Sequence, residues 1–133
     1  MKNLKIYAIF LVLAVAFSLN SCSSGTSAPG DAIVKAYDFM KNKEFEKAAK
    51  MYISGKGEKF TEGEAKMMEG LCSMAFEQWQ GKDGIKNVEM TEEIIAEDEK
   101  SAKVNFTVLF NNGDTDNKKA DLLKIDGKWL IKI

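Results

Sequence analysis

Near Ile85 the spacing of apolar residues changes from one that suits helices to one that suits strands, so an all-helical or all-strand fold fits only half of the chain. Upstream, Ile33, Ala36, Tyr37 and Met40 fall at i, i+3, i+4 and i+7, behind Asp31 as a plausible N-cap. Lys41-Asn42-Lys43 breaks that stripe. Phe45, Ala48, Ala49 and Tyr52 repeat the spacing up to Ser54-Gly55-Lys56-Gly57, where two glycines supply a stop. These two stretches predict a helical hairpin. Thr61 then opens a longer helix, with Glu64 placed for a capping box and an apolar stripe of Ala65, Met68, Leu71, Cys72, Ala75, Phe76 and Trp79. Met67 and Met74 are expected to widen the stripe. Gly70 is expected to mark a close approach to a neighbouring strand, and Gly81 and Gly84 end the element.

Downstream the period is two. Val88, Met90, Ile94 and Ala96 are expected on one face of a strand, and Ala102, Val104, Phe106, Val108 and Phe110 alternate strictly on the next. Glu97-Asp98-Glu99-Lys100 and Asn111-Asn112-Gly113-Asp114 read as turns. A strand from Ala120 to Ile125 meets Asp126-Gly127, a strong hairpin signal, and returns through Trp129, Ile131 and Ile133. Two registers stay open: a two-residue loop sets Leu122 beside Ile131, and a three-residue bulged loop sets Leu123 opposite Trp129. The fold class is α+β, with the helices on an antiparallel sheet of about four strands.

The first 21 residues do not belong to that pattern. Lys2 and Lys5 precede the apolar run Ile6 to Phe17, which is the length of a signal-peptide core and short of the roughly 20 residues of a spanning helix. Leu19-Asn20-Ser21-Cys22 resembles the lipobox of bacterial lipoproteins, in which the cysteine is diacylated and becomes the new N-terminus; Asn20 is its less usual member. The expected organisation is a signal peptide over 1–21, lipidated Cys22 with a Ser/Gly-rich tether over 22–30, and one domain over 31–133. The tether reaches on the order of 15 Å, so the domain is held close to lipid. The address is the cell envelope, on an outer or inner membrane, and facing the periplasm because no acidic run comes after Cys22.

Of the 20 acids none lies in the leader, which takes two of the 19 lysines with it, so the remainder is acidic with scattered charge and does not suit nucleic acid. Histidine is absent, and so is arginine. That removes imidazole bases, imidazole metal ligands and bidentate guanidinium clamps. Any catalysis would run on carboxylates, Lys, Tyr or hydroxyls. Asp38 or Glu69 paired with Tyr37 is the enzyme reading. Cys72, alone once Cys22 is acylated, reads as a small buried hydrophobe. Asn111, Asn112, Asp114 and Asp116 lack the ligand alternation of a calcium loop and read as a solvated turn, so no metal and no cofactor is expected.

Val34-Lys35-Ala36-Tyr37, Phe45-Glu46-Lys47-Ala48-Ala49, Ala102-Lys103-Val104 and the Asp126-Gly127-Lys128-Trp129 ending, in that order behind a lipobox, resemble an uncharacterised family of small lipoproteins. That family has the nuclear transport factor 2-like, or cystatin-like, fold and is sometimes labelled lumazine-binding-like. The resemblance implies a curved sheet wrapping the helices into a cone on which Tyr37, Tyr52, Trp79, Phe106 and Trp129 converge, either as a packed core or as the lining of a ligand site. Enzymes of the wider superfamily make the enzyme reading isomerase- or dehydratase-like, whereas the lipobox and the lack of a catalytic constellation favour a non-catalytic binding domain, partnered with the membrane through Cys22 and with a small apolar ligand or an envelope protein, its oligomeric state open and a dimer included. A helical interaction scaffold is the remaining alternative, excluded by substantial strand content.

Overall fold

The structure is a computed structural model that describes residues 28–133. The leader, Cys22 and the tether as far as Ser27 lie outside the described residues. Three helices and five strands run in the order α1 (Pro29–Lys41), α2 (Phe45–Ala49), β1 (Tyr52–Ile53), α3 (Glu62–Gln80), β2 (Ile85–Ile95), β3 (Ser101–Phe110), β4 (Thr115–Ile125) and β5 (Lys128–Lys132). The strands form one sheet in the order β1-β5-β4-β3-β2, antiparallel except where β1 joins β5. The architecture is therefore α+β, with one strand more than the apolar pattern suggests.

Strand β3 sets the sheet's inner face. Ala102, Val104, Phe106, Val108 and Phe110 are all buried, as strict alternation requires when one face meets a core and the other meets water. Its neighbour β4 begins at Thr115, five residues before its apolar part, because ladder pairing continues through the polar stretch to Leu109↔Thr115. At the far end Leu122 pairs with Ile131 and Ile125 with Lys128, so the two-residue loop is the one adopted. Asp126 at φ 51° and Gly127 at φ 77° give the left-handed pair that a tight, right-twisted hairpin needs.

Strand β2 departs from the simple alternation. Lys86 and Thr91 are extra residues where its register against β3 shifts. Each is a bulge, and a bulge moves every later side chain to the opposite face. Met90 faces Phe106, but beyond Thr91 it is Glu93 and Ile95 that share the row of Val104 and Ala102. Ile94 pairs with Lys103 on the outer face and is 54% exposed, which corrects its placement beside Val88 and Met90.

The helix starts differ too. Pro29 occupies the first turn of α1, where its missing N–H costs nothing, and Ala28 is the cap residue. Asp31 sits inside the first turn, and its Oδ2 accepts from the Ala28 N–H at 3.1 Å. The Gly30 N–H is taken by Glu93 Oε1 of β2 at 2.6 Å, so the bulge also delivers a carboxylate to a helix N-terminus, where the macrodipole favours it. Thr61 caps α3 by accepting from the Glu64 N–H at 3.3 Å. On α3, Met68, Cys72 and Trp79 are buried, whereas Met67 is 69% and Met74 59% exposed; both methionines lie outside the core stripe. A side chain on Gly70 would meet open space, so that glycine marks no close approach.

Candidate functional site

The five aromatic residues expected to line a cone have separate fates. Tyr37 on α1 stacks on Trp79 of α3 with ring centroids 5.2 Å apart, and Phe106 of β3 meets Tyr37 edge-on at 5.7 Å. These are preferred aromatic geometries, and the three rings fill the space between helices and sheet. Trp129 is 5% exposed on β5, with the Lys124 ammonium 5.7 Å from its ring. Four of the five thus pack as core. Tyr52 stands apart. It lies in β1, not on the second helix as its spacing suggests, because the chain turns at Lys50 and pairs Tyr52 with Ile131.

Burial pushes the Tyr37 phenol up to about 12, helped by the Asp116 carboxylate nearby. Burial likewise raises Tyr52, with smaller contributions from Tyr37 and Cys72, and raises the Cys72 thiol to about 11, helped by Glu69. Both phenols stay protonated at neutral pH, and Cys72 stays a thiol, the inert form. The carboxylate whose charge acts on Tyr37 is Asp116 rather than Asp38 or Glu69. Asp38 is exposed on α1, and Glu69 faces a different space. The Lys82 ammonium stands 3.9 Å from Asp116 and 4.6 Å from the centre of the Phe110 ring. The Asn111–Asp114 turn satisfies itself: Asn112 accepts from the Asp114 N–H at 2.9 Å and donates to its carboxylate at 3.2 Å.

That different space is a cleft of about 470 Å³ bounded by α2, β1, the loop before α3, and the first half of α3. Ala49, Tyr52, Phe60, Ala65 and Leu130 make its floor. Its rim carries Glu46, Lys50, Lys59, Glu62, Lys66 and Glu69. Small side chains on both helices open the cleft: Ala49 and Ala65 leave room that larger residues would fill. The volume lies in the range of small-molecule sites, and an apolar floor with a few polar groups at the edge is their usual chemistry. Of the residues singled out in the sequence as site candidates, only Tyr52 and Glu69 reach it. Phe60 and Leu130 escape sequence reasoning because a loop residue and a strand residue far apart in the chain carry no common periodicity.

No protein-family model matches the chain, and neither does any curated protein sequence. Among solved structures it is similar to a Campylobacter jejuni protein provisionally named an NTF2-like transpeptidase. The two share 21% identity over 80% of this chain and 99% of that one, with a TM-score of 0.65. The fold is therefore of the nuclear transport factor 2-like kind. No helix among the described residues is long and apolar enough to cross a membrane.

Proposed function

We propose that this chain is an envelope lipoprotein, exported by its leader, acylated at Cys22, and carrying a non-catalytic domain that binds a small ligand. The observation that carries the binding reading is the 470 Å³ cleft with an apolar floor, set beside an interior whose aromatic rings already pack on one another. The absence of histidine from the sequence supports binding over proton transfer. The lipobox-like Leu19-Asn20-Ser21-Cys22 supports the anchor, since two or more acyl chains at about 0.8 kcal/mol per buried methylene hold for long times.

Indole, a flat neutral probe, tests the cleft. Titrated against the full chain, it should shift the methyl resonances of Ala49, Ala65 and Leu130 and leave those of Val104 and Val108 in place. Ala65→Phe should abolish the shifts with little change in melting temperature. Shifts confined to Val104 and Val108 would move the site into the cone and refute the cleft. For the anchor, wild type should fractionate with membranes and exceed its unacylated mass, while Cys22→Ala is soluble; identical fractionation would remove it.

An enzymatic reading, suggested by the neighbour's name, has one observation in its favour: Asp116 lies close enough to Tyr37 to raise its phenol. In that reading Tyr37 is the proton donor and Asp116 acts on it through its charge. Full turnover by Tyr37→Phe would end it.

A further inference from the structure

The turn between β3 and β4 holds the ingredients of a covalent reaction. Asn112 is followed by Gly113, and among the described residues no other asparagine precedes a glycine. Asn87, Asn105 and Asn117 lie in strands ahead of Val88, Phe106 and Lys118, where ladder pairing holds the backbone. Asn112 and Gly113 are exposed, and nothing stands within 4 Å of the place a Cβ on Gly113 would take.

The Asn112 side chain is held over the main chain that follows it. Its Oδ1 accepts from the Asp114 N–H at 2.9 Å, and its Nδ2 donates to the Asp114 carboxylate at 3.2 Å. The ring closed by the first bond contains both Asn112 Cγ and the Gly113 nitrogen, so the side-chain carbonyl is folded back toward that nitrogen. A donor already placed at Oδ1 also stabilises the negative charge that develops there when Cγ is attacked. The Gly113 N–H donates to the Phe110 carbonyl at 3.0 Å, a bond across one exposed turn that opens with the turn.

We propose that Asn112 is a site of spontaneous deamidation in the folded chain. The Gly113 nitrogen gives its proton to water and bonds to Asn112 Cγ, closing a succinimide ring. The Cγ–Nδ2 bond breaks, and Nδ2 takes a proton from water and leaves as ammonia. Water then opens the ring, giving aspartate where it attacks Cγ and isoaspartate where it attacks the main-chain carbonyl carbon. One water enters and one ammonia leaves, with no change of oxidation state. Glycine matters because it puts no Cβ in the path of the closing ring. Asp126-Gly127 has the same spacing, but its ionised carboxylate is a poor electrophile and reacts later.

The product changes what holds the turn. The Asn111 N–H donates to the Gly84 carbonyl at 2.9 Å, Asn111 Nδ2 to that of Asp83 at 2.8 Å, and the Asn112 N–H to that of Lys82 at 3.2 Å. These bonds fasten the turn to the loop that leaves α3. A carboxylate at position 112 faces the Asp114 carboxylate where an amide donated to it, and like charges repel. Isoaspartate also lengthens the main chain by one carbon and draws the Gly113 N–H away from Phe110. Modification therefore loosens the turn from α3.

Incubation of the full chain at mildly alkaline pH, followed by digestion and fragmentation mass spectrometry, tests this. Conversion should appear at Asn112 before any other asparagine, as isoaspartate and aspartate together, with ammonia released mole for mole. The intact chain should gain one negative charge on isoelectric focusing. Asn112→Gln should lose the reaction and keep the wild-type melting temperature. In the converted chain the Asn111 amide should lose protection from exchange while those of Val104 and Val108 keep theirs. A folded chain that retains Asn112, whether or not the urea-unfolded chain converts it, would overturn the proposal. So would earlier conversion at another asparagine. Full protection of the Asn111 amide after conversion would overturn the loosening.

Discussion

Glycines show how far a residue's role depends on what stands near it. Gly70 lies inside α3 with nothing within 4 Å of a would-be Cβ, so it costs backbone entropy and returns no contact. Gly70→Ala should stabilise the protein by about 0.5–1 kcal/mol, read as a higher denaturant midpoint at unchanged slope. Gly30 is the opposite case. A Cβ there would collide with Glu93 Oε1 and stand 2.9 Å from Met90 Cγ and Sδ, displacing the carboxylate that accepts the Gly30 N–H. Gly30→Ala should cost about 1–2 kcal/mol in the same measurement. From sequence alone the two read the wrong way round, Gly70 as a contact and Gly30 as spacer, because the partner that decides is 63 residues distant at Glu93. Cys72 is legible, since a thiol on an apolar stripe with no partner has little else to be; at 1% exposure it is core. Met67 and Met68 differ by one position, and the apolar pattern draws both inside. Helical rotation separates them by about 100°, and only Met68 is buried. Met68→Ala should cost about 2–4 kcal/mol and Met67→Ala less than about 0.5 kcal/mol.

At the scale of elements, what the sequence shows best is regular repetition. Strand β3, the Thr61 cap that starts α3, and the Asp126-Gly127 turn are each specified by neighbours in sequence, and each has the form expected. What it conceals is pairing. Strand β1 is two residues long and exists because the Ile131 N–H donates to the Met51 carbonyl at 2.8 Å and the Ile133 N–H to the Ile53 carbonyl at 3.1 Å, a contact across most of the chain. The bulges at Lys86 and Thr91 are concealed for a related reason: one extra residue leaves no mark on composition and shifts only the residues downstream of it. Deleting Thr91 tests that account. It removes the extra residue and leaves Glu93 opposite Val104 and Ile94 opposite Lys103, so Ile94 should stay on the outer face and the Gly30 amide should keep its protection from exchange. Lost protection at Gly30, with nuclear Overhauser contacts between Ile94 and Val104, would mean that the faces beyond Thr91 are set by something other than the bulge.

For the molecule as a whole, the core has no buried polar or charged residue among those described, and its pH dependence comes from the weak acids it encloses. Tyr37 is 9% exposed, with its phenol raised from 10.0 to about 12 by burial first and Asp116 second. Cys72 is raised from 9.0 to about 11, and Tyr52 shifts in the same direction. A raised pKa on an acid means that the unfolded chain gives up its proton first. Stability from these groups is therefore complete below about pH 9 and is lost as pH rises toward 12, while acid below neutral leaves them untouched. Two units on Tyr37 alone amount to roughly 2–3 kcal/mol. Denaturant midpoints should thus stay level from pH 7 to about 9 and fall steeply above, with phenolate absorbance appearing together with unfolding rather than before it. Tyr37→Phe separates the contributions. It keeps the stack on Trp79, removes the ionisable oxygen, and should flatten the alkaline fall by most of that 2–3 kcal/mol. Phenolate absorbance that rises near pH 10 in the still-folded chain and is missing from Tyr37→Phe would place the Tyr37 hydroxyl in water, and with it an opening at the stacked rings.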